Sequence, residues 1–374
     1  MPRRLRRLLQ VVVAAGLLAL LWRMVDGAAA LEHLAGARPG WLLAAVAALT
    51  AQTMLSALRW RLTAGRLGIA IGRWTAVREY YLGQIVNQTL PGGVLGDAGR
   101  AMRSRRDAGL LAAGQAVAFE RLAGQVALGL LFAAAVAGTL AVPGGFDWPG
   151  WLLTPVLLAI GGAGAVVPVL MLAGARLPGR LGRAVGEPAR AFMRATWSPG
   201  VRARQAGLSL GAASCNVVAF ACCASAIGVT LPPATALALV PPILFTMLIP
   251  VTVSGWGLRE GAAVALLPLA GASASEGMAA SVAFGLAVLA AALPGVAAFG
   301  VGTRTSALAP RRADPVPDVA QGALPPSGGA STAPETSARS IGAAGSLQRR
   351  RQARDMHEDA CFRRADGHGV RRSR

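Results

Sequence analysis

The sequence predicts an all-α polytopic membrane protein: about six full transmembrane helices, two broken re-entrant hairpins entering from opposite sides, and a disordered C-terminal tail. Three observations carry this. The 374 residues are 54% hydrophobic and only 14% charged, with a mean hydropathy of +0.51. Apolar runs of about 15 to 25 residues recur with almost no charge inside them, the length that crosses a bilayer as helix. The formal charge of +20 comes entirely from arginine, because the chain contains no lysine, and most arginines flank the apolar runs. That is how cytoplasmic loops facing anionic lipid are built, so nucleic acid is not the expected partner.

Arg3, Arg4, Arg6 and Arg7 precede the first apolar run, Leu8 to Leu21. A cleaved signal peptide is the competing reading, since "DGAAA" follows; a first span oriented with its N-terminus in the cytoplasm fits the polytopic chain behind it. Asp26 to Arg38 is then external. A second span, about Gly40 to Leu58, ends at "LRWRL", where Arg59, Arg61, Arg66, Arg73 and Arg78 mark a cytoplasmic segment. Tyr80 to Leu95 is largely uncharged, broken by Pro91-Gly92-Gly93, and closed by Arg100, Arg103, Arg105 and Arg106. At ~1.5 Å per residue it cannot cross a ~30 Å core and return, so it reads as a hairpin from the cytoplasmic side or a surface-lying amphipathic helix.

A third span, about Ala112 to Val136, carries Glu120 and Arg121 in its first turns. "PGGFDWPGW" forms an external loop with interfacial tryptophans, and a fourth span covers about Leu152 to Ala173. Arg176 to Arg204 is a basic connector lying on anionic headgroups or solvated, and a fifth span runs over about Gly207 to Ile227. Ala234 to Ile249 and Gly261 to Gly271 are apolar but short, separated by Pro250 and "VTVSGWGLRE"; they read as a second hairpin, with two full spans as the alternative. The last span, about Met278 to Val301, closes a transmembrane domain of residues 1–304. Residues 305–374 form an Arg-, Pro- and Ala-rich cytoplasmic tail expected to be disordered. Oppositely inserted broken helices are the arrangement of inverted-repeat transporters, although the two halves show no clear sequence repeat.

No cofactor or metal is expected: His33, His357 and His368 are scattered, and Cys215, Cys222 and Cys223 read as small packing residues. Without lysine there is no Walker A loop. The candidate site is the set of ionisable residues within or at the mouths of apolar segments: Asp97, Arg100, Glu120, Arg121, Arg259 and Glu260. Each is costly at membrane depth unless paired or lining a polar cavity. Three acids and three bases could neutralise one another in one cavity, with Arg259 meeting Glu120 or Asp97, since sequence neighbours do not face each other on a helix. Snorkelling at the cytoplasmic interface is the plainer reading for Asp97, Arg100, Glu120 and Arg121. Pro91, Gly92, Gly93, Gly96, Pro250, Gly255 and Gly257 are the expected turn residues, their glycines permitting close backbone approach.

"LPGGVLGDAGRAMRSRR", "FERLAG", "PVTVSGWGLREGAA" and the preceding "SALRWRLTAGRLG" resemble the lysylphosphatidylglycerol synthase transmembrane-region family, over roughly residues 8 to 303. In its two-part members the membrane region is thought to flip aminoacylated phosphatidylglycerol, which a separate soluble domain makes. No such domain follows the last span here, so the resemblance implies lipid handling at the bacterial inner membrane and not aminoacyl transfer. Membrane lipids, anionic, zwitterionic or isoprenoid, are the implied partners, with lipid-biosynthesis enzymes beside them. On this reading Arg100, Arg121 and Arg259 take a phosphate, while Asp97, Glu120 and Glu260 hold the arginines or receive an amine. A membrane-embedded transferase acting on a lipid-linked sugar, and a non-transporting scaffold, are the rival readings.

Overall fold

The computed structural model describes residues 3–90, 93–105, 108–141, 148–249, 252 and 254–300, and among these every regular element is helical. Among the described residues five helices are long and apolar enough to cross a membrane: α3 (Pro39–Arg66), α6 (Gly109–Ala141), α7 (Gly150–Arg176), α9 (Arg202–Ala226) and the continuous stretch Ala274–Ala298. That last stretch comprises α12 (Ala274–Ala292) and the start of α13 (Pro294–Gly300). A sixth crossing is available from the bent pair α1 (Arg3–Met24) and α2 (Gly27–Ala35). The tail at 305–374, together with Pro91, Gly92 and Pro250, lies outside the described residues.

Several boundaries change. The segment after the first apolar run is helical: the chain turns by 96° and re-enters helix at α2, whose start is capped by Asp26 accepting from the Ala29 N–H at 3.1 Å. The basic connector is also helical, α8 (Gly179–Thr196). Its small-residue face lies directly on α7, where a Cβ placed on Gly174 would stand 2.3 Å from the Gly186 Cα. Arg190 and Arg194 of the same helix hydrogen-bond the exposed Glu187 carboxyl and hold it below its ordinary range.

Both broken hairpins are present, with different limits. The first has arms α4 (Arg73–Thr89) and α5 (Leu95–Ser104), longer than Tyr80 to Leu95 but still about 25 and 15 Å, short of a ~30 Å core. The second has arms α10 (Pro233–Phe245), extended by one 3-10 turn over Thr246–Leu248, and α11 (Leu258–Leu266), about 20 and 14 Å in helix. These lengths favour hairpins over two full spans.

The turn glycines do different jobs. Gly93, Gly255 and Gly257 have φ of +60°, +81° and +89°, where a side chain is strained. Gly96 does not turn the chain. It opens α5 and lets two backbones touch, since a Cβ there would sit 1.9 Å from the Gly83 carbonyl oxygen on α4. Its N–H donates to Asn87 Oδ1 at 2.7 Å. Gly96→Ala must therefore push α5 off α4, and a loss of about 1–3 kcal/mol is expected. A lowered melting temperature of the purified protein checks it.

Candidate functional site

The ionisable residues form two clusters, not one. In the first, Glu120 is fully buried on α6 and sits more than two turns beyond the helix start, deeper than its sequence position implied. Its Oε1 accepts from Arg59 Nη2 at 2.5 Å, Arg59 Nε at 3.2 Å and the Tyr80 hydroxyl at 3.3 Å; its Oε2 accepts from Arg100 Nη2 at 3.3 Å. Arg100 Nη2 also reaches Asp97 Oδ1 at 3.0 Å, one turn back on α5. Asp97 Oδ2 is ion-paired with Arg121 Nε. Arg100 is 1% exposed and does not snorkel; Arg121, with a side chain 45% exposed, partly does.

The second cluster overturns the expected cross-pairing of Arg259 with Glu120 or Asp97. Arg259 Nη2 donates to its own neighbour, Glu260 Oε1, at 2.5 Å, and Arg259 Nε donates to Ser281 Oγ on α12 at 3.0 Å. Sequence neighbours meet here because they occupy the first turn of α11. Glu260 Oε2 folds back to accept the Gly257 N–H at 2.6 Å, satisfying a donor the helix start leaves open. That bend brings Oε1 within reach of the guanidinium, which lies over Trp256 and Phe284 with centroid distances of 5.1 and 5.5 Å. Both residues are essentially inaccessible, so this pair pins the second break to α12.

Between the clusters lies a cavity of about 260 Å³. Of the six candidates, Asp97, Arg100 and Arg121 line it; Glu120 is paired with Arg100 and does not, and neither do Arg259 and Glu260, although Arg259 lies over Phe284, which lines the cavity. Gly93 and Ser254, one from each break, reach its wall. Ser254 holds φ at +51°, uncommon for a residue with a side chain, and its Oγ is 2.5 Å from Gln88 Oε1, tying the second break to α4.

Sequence reading missed two contributors. Arg59 looks like one more flanking arginine in "LRWRL", yet it is 5% exposed and binds Glu120; its neighbour Arg61 is the exposed one, donating to the Ile71 carbonyl. The other is the polar stripe of α4. Tyr80, Gln84, Asn87 and Gln88 recur at i, i+4, i+7 and i+8, one helix face, and all line the cavity. That spacing was visible in "EYYLGQIVNQT".

The charges do not balance in the first cluster, where three arginines face two carboxylates. Arg100 presses its guanidinium between the rings of Trp60 and Tyr80, with centroid distances of 4.6 and 4.5 Å, and leaves Nε and Nη1 without a hydrogen-bond partner. A buried, net-positive wall with unfilled guanidinium donors can take an anion.

The fold and this cavity define a polytopic helical membrane protein built around a charged chamber between two broken helical hairpins. The family described as the lysylphosphatidylglycerol synthase TM region matches residues 7–295, and the chain belongs to that family. The match is to the membrane region of the synthase alone. No curated protein and no solved structure matches the chain.

Proposed function

We propose that the chain binds a phosphate-bearing lipid by its headgroup in the cavity between the two breaks and carries it across the bacterial inner membrane. The observation that carries this reading is the uncompensated arginine: Arg100, 1% exposed, at the wall of a cavity, with two donors unfilled. Buried charge at membrane depth marks a ligand path unless another charge neutralises it. Here Asp97 and Glu120 are already shared among Arg59, Arg100 and Arg121. The phosphate would complete the hydrogen bonds of Arg100 and restore neutrality, while the acyl chains stay in the bilayer.

Access would alternate by movement of the second break against α4, releasing the Ser254–Gln88 contact. The α11 end of that break is anchored by Arg259, Glu260 and Ser281, which makes the Ser254 side the moving part.

The test is transport of headgroup-labelled phospholipids in proteoliposomes by a Gln88→Cys/Ser254→Cys variant whose native cysteines are replaced by alanine. Bridging the two thiols is expected to stop lipid movement, and reducing the bridge to restore it. Equal rates in the bridged and reduced forms would count against alternation at this contact, and no movement of any phospholipid by folded wild-type protein would remove the translocase reading.

A further inference from the structure

We infer that α8 is a second lipid-contact surface, a helix that lies along the membrane face and gathers anionic phospholipid headgroups, apart from the cavity between the two breaks. Such a contact goes beyond the translocase reading and holds even for a chain that moves no lipid.

Position comes first. The 27 residues of α7 make about 40 Å of helix, more than the ~30 Å core, so its Arg176 end reaches headgroup level. α8 folds straight back onto those last turns. A Cβ on Gly182 would stand 2.1 Å from the Leu177 carbonyl oxygen, and one on Gly186 would stand 2.9 Å from the Gly174 Cα. The other end is held as well. Phe192 meets Phe119 of α6 edge-on at 5.6 Å, and just past the helix Ser198 Oγ accepts from Arg66 Nη2 of α3 at 3.0 Å. The 18-residue helix is therefore pinned at both ends.

The chemistry of the outward surface comes second. Arg180, Arg183, Glu187, Arg190 and Arg194 recur at i, i+3, i+7, i+10 and i+14, one face of the helix. Arg190 and Arg194 are taken up by Glu187. Arg180 and Arg183 are exposed and make no side-chain hydrogen bond or ion pair with any described residue, and the same holds for Arg176 before the helix and Arg202 and Arg204 after it. From Arg176 to Arg204, seven arginines stand against one carboxylate, a net charge of +6. Beside the charged face runs an apolar one. Leu181, Ala184 and Pro188 recur at i, i+3 and i+7 and are all exposed, Leu181 by 67%, with Leu177 and Trp197 exposed at the two ends.

The two faces together select the partner. A soluble acidic protein or a nucleic acid would answer the charge and leave Leu181 and Pro188 in water. An anionic bilayer surface answers both: phosphate oxygens accept from Arg180 and Arg183, while leucine and proline enter the acyl chains beneath. Long arginine side chains suit this position, since their stems lie along apolar surface and their guanidiniums stay among the headgroups. Glu187 sets the strength of the attraction, because its carboxylate occupies two of the arginines on the charged face.

The experiment labels Ala184→Cys with a small fluorophore, in the full chain with its native cysteines replaced by alanine, and reads quenching in phosphatidylcholine nanodiscs. The quenchers are phosphatidylserine and phosphatidylcholine with brominated acyl chains, compared at equal mole fraction. Both are expected to quench, and the anionic lipid should do so as though enriched about fivefold beside the label, the scale of one arginine at a membrane surface. Salt at about 1 M should shrink that preference. Arg180→Gln with Arg183→Gln should remove most of it, the corresponding lysine pair should keep it, and Glu187→Gln should raise it. Neither arginine bonds to the rest of the described chain, so an unchanged melting temperature is expected and separates lost preference from misfolding. Equal quenching by the two lipids would overturn the inference, as would a preference that survives in the glutamine pair. Quenching by neither lipid would also overturn it, placing α8 in water and leaving its arginines to a soluble acidic partner. Arg100→Gln should leave the preference intact; its loss there would trace the lipid to the cavity and not to α8.

Discussion

Glu120→Gln is expected to destabilise the protein by about 3–5 kcal/mol, the scale of breaking a buried ion pair by removing one partner. Glu120 is fully buried and accepts hydrogen bonds from Arg59, Arg100 and Tyr80, which arrive from α3, α5 and α4. Neutralising it leaves three arginines against Asp97 alone, a net charge of +2 in a region with little water. The glutamine also brings an NH2 group toward guanidiniums that can only donate. Thermal unfolding in detergent should show a large drop in midpoint. Glu187→Gln supplies the control: that carboxylate is exposed on α8, and surface ion pairs contribute little, so its midpoint should stay near wild type. A Glu120→Gln protein as stable as the Glu187→Gln control would show that the cluster is not what joins these four helices.

Arg100→Gln should separate folding from function. Its removal leaves Glu120 paired with Arg59 and Asp97 paired with Arg121, so each carboxylate keeps a partner. The variant is expected to remain folded, with the cluster now neutral. Binding of an anionic headgroup should weaken by about 10- to 100-fold, the loss of one or two hydrogen bonds to a charged group. Arg100→Lys should recover only part of this. It keeps the charge, but an ammonium has no planar fork to lie between Trp60 and Tyr80 while donating to phosphate oxygens. Equal binding by the lysine and arginine forms would make the site a simple point charge.

Much of this architecture was legible in the sequence because bilayer thickness sets how long an uncharged run must be. The five long spans coincide with apolar runs that have arginine near at least one end, and both breaks fall where glycine and proline interrupt shorter ones. The burial of Arg259 and Glu260 was legible too, since apolar sequence on both sides leaves a charge no way to reach water. Pairing was not legible. Which carboxylate meets which guanidinium depends on how helices rotate against one another, and hydropathy is blind to that rotation. Arg59 and Arg61 illustrate the limit: two residues apart on α3, they point to different surroundings, one to Glu120 and the other to the Ile71 carbonyl at the surface. The Arg259–Glu260 contact was excluded by a rule for helix interiors that does not hold in a first turn, where Glu260 bends back to cap the chain. The amide stripe of α4 followed a helical period, but a period of polar residues is also how a surface-lying helix reads. Its inward direction follows from the α4–α5 contact at Gly83 and Gly96.

The central claim is that one uncompensated buried positive charge at the cavity draws the headgroup in. The most direct test compares flipping of labelled phosphatidylglycerol in proteoliposomes by wild type, Arg100→Gln and the double variant Arg100→Gln/Asp97→Asn. The single change takes the cluster from +1 to neutral; the double change returns it to +1 and frees Arg121, which already reaches the cavity wall. The account predicts fast flipping by wild type, loss in the single variant and partial recovery in the double. Flipping by Arg100→Gln at the wild-type rate, or a double variant no better than the single, would contradict it.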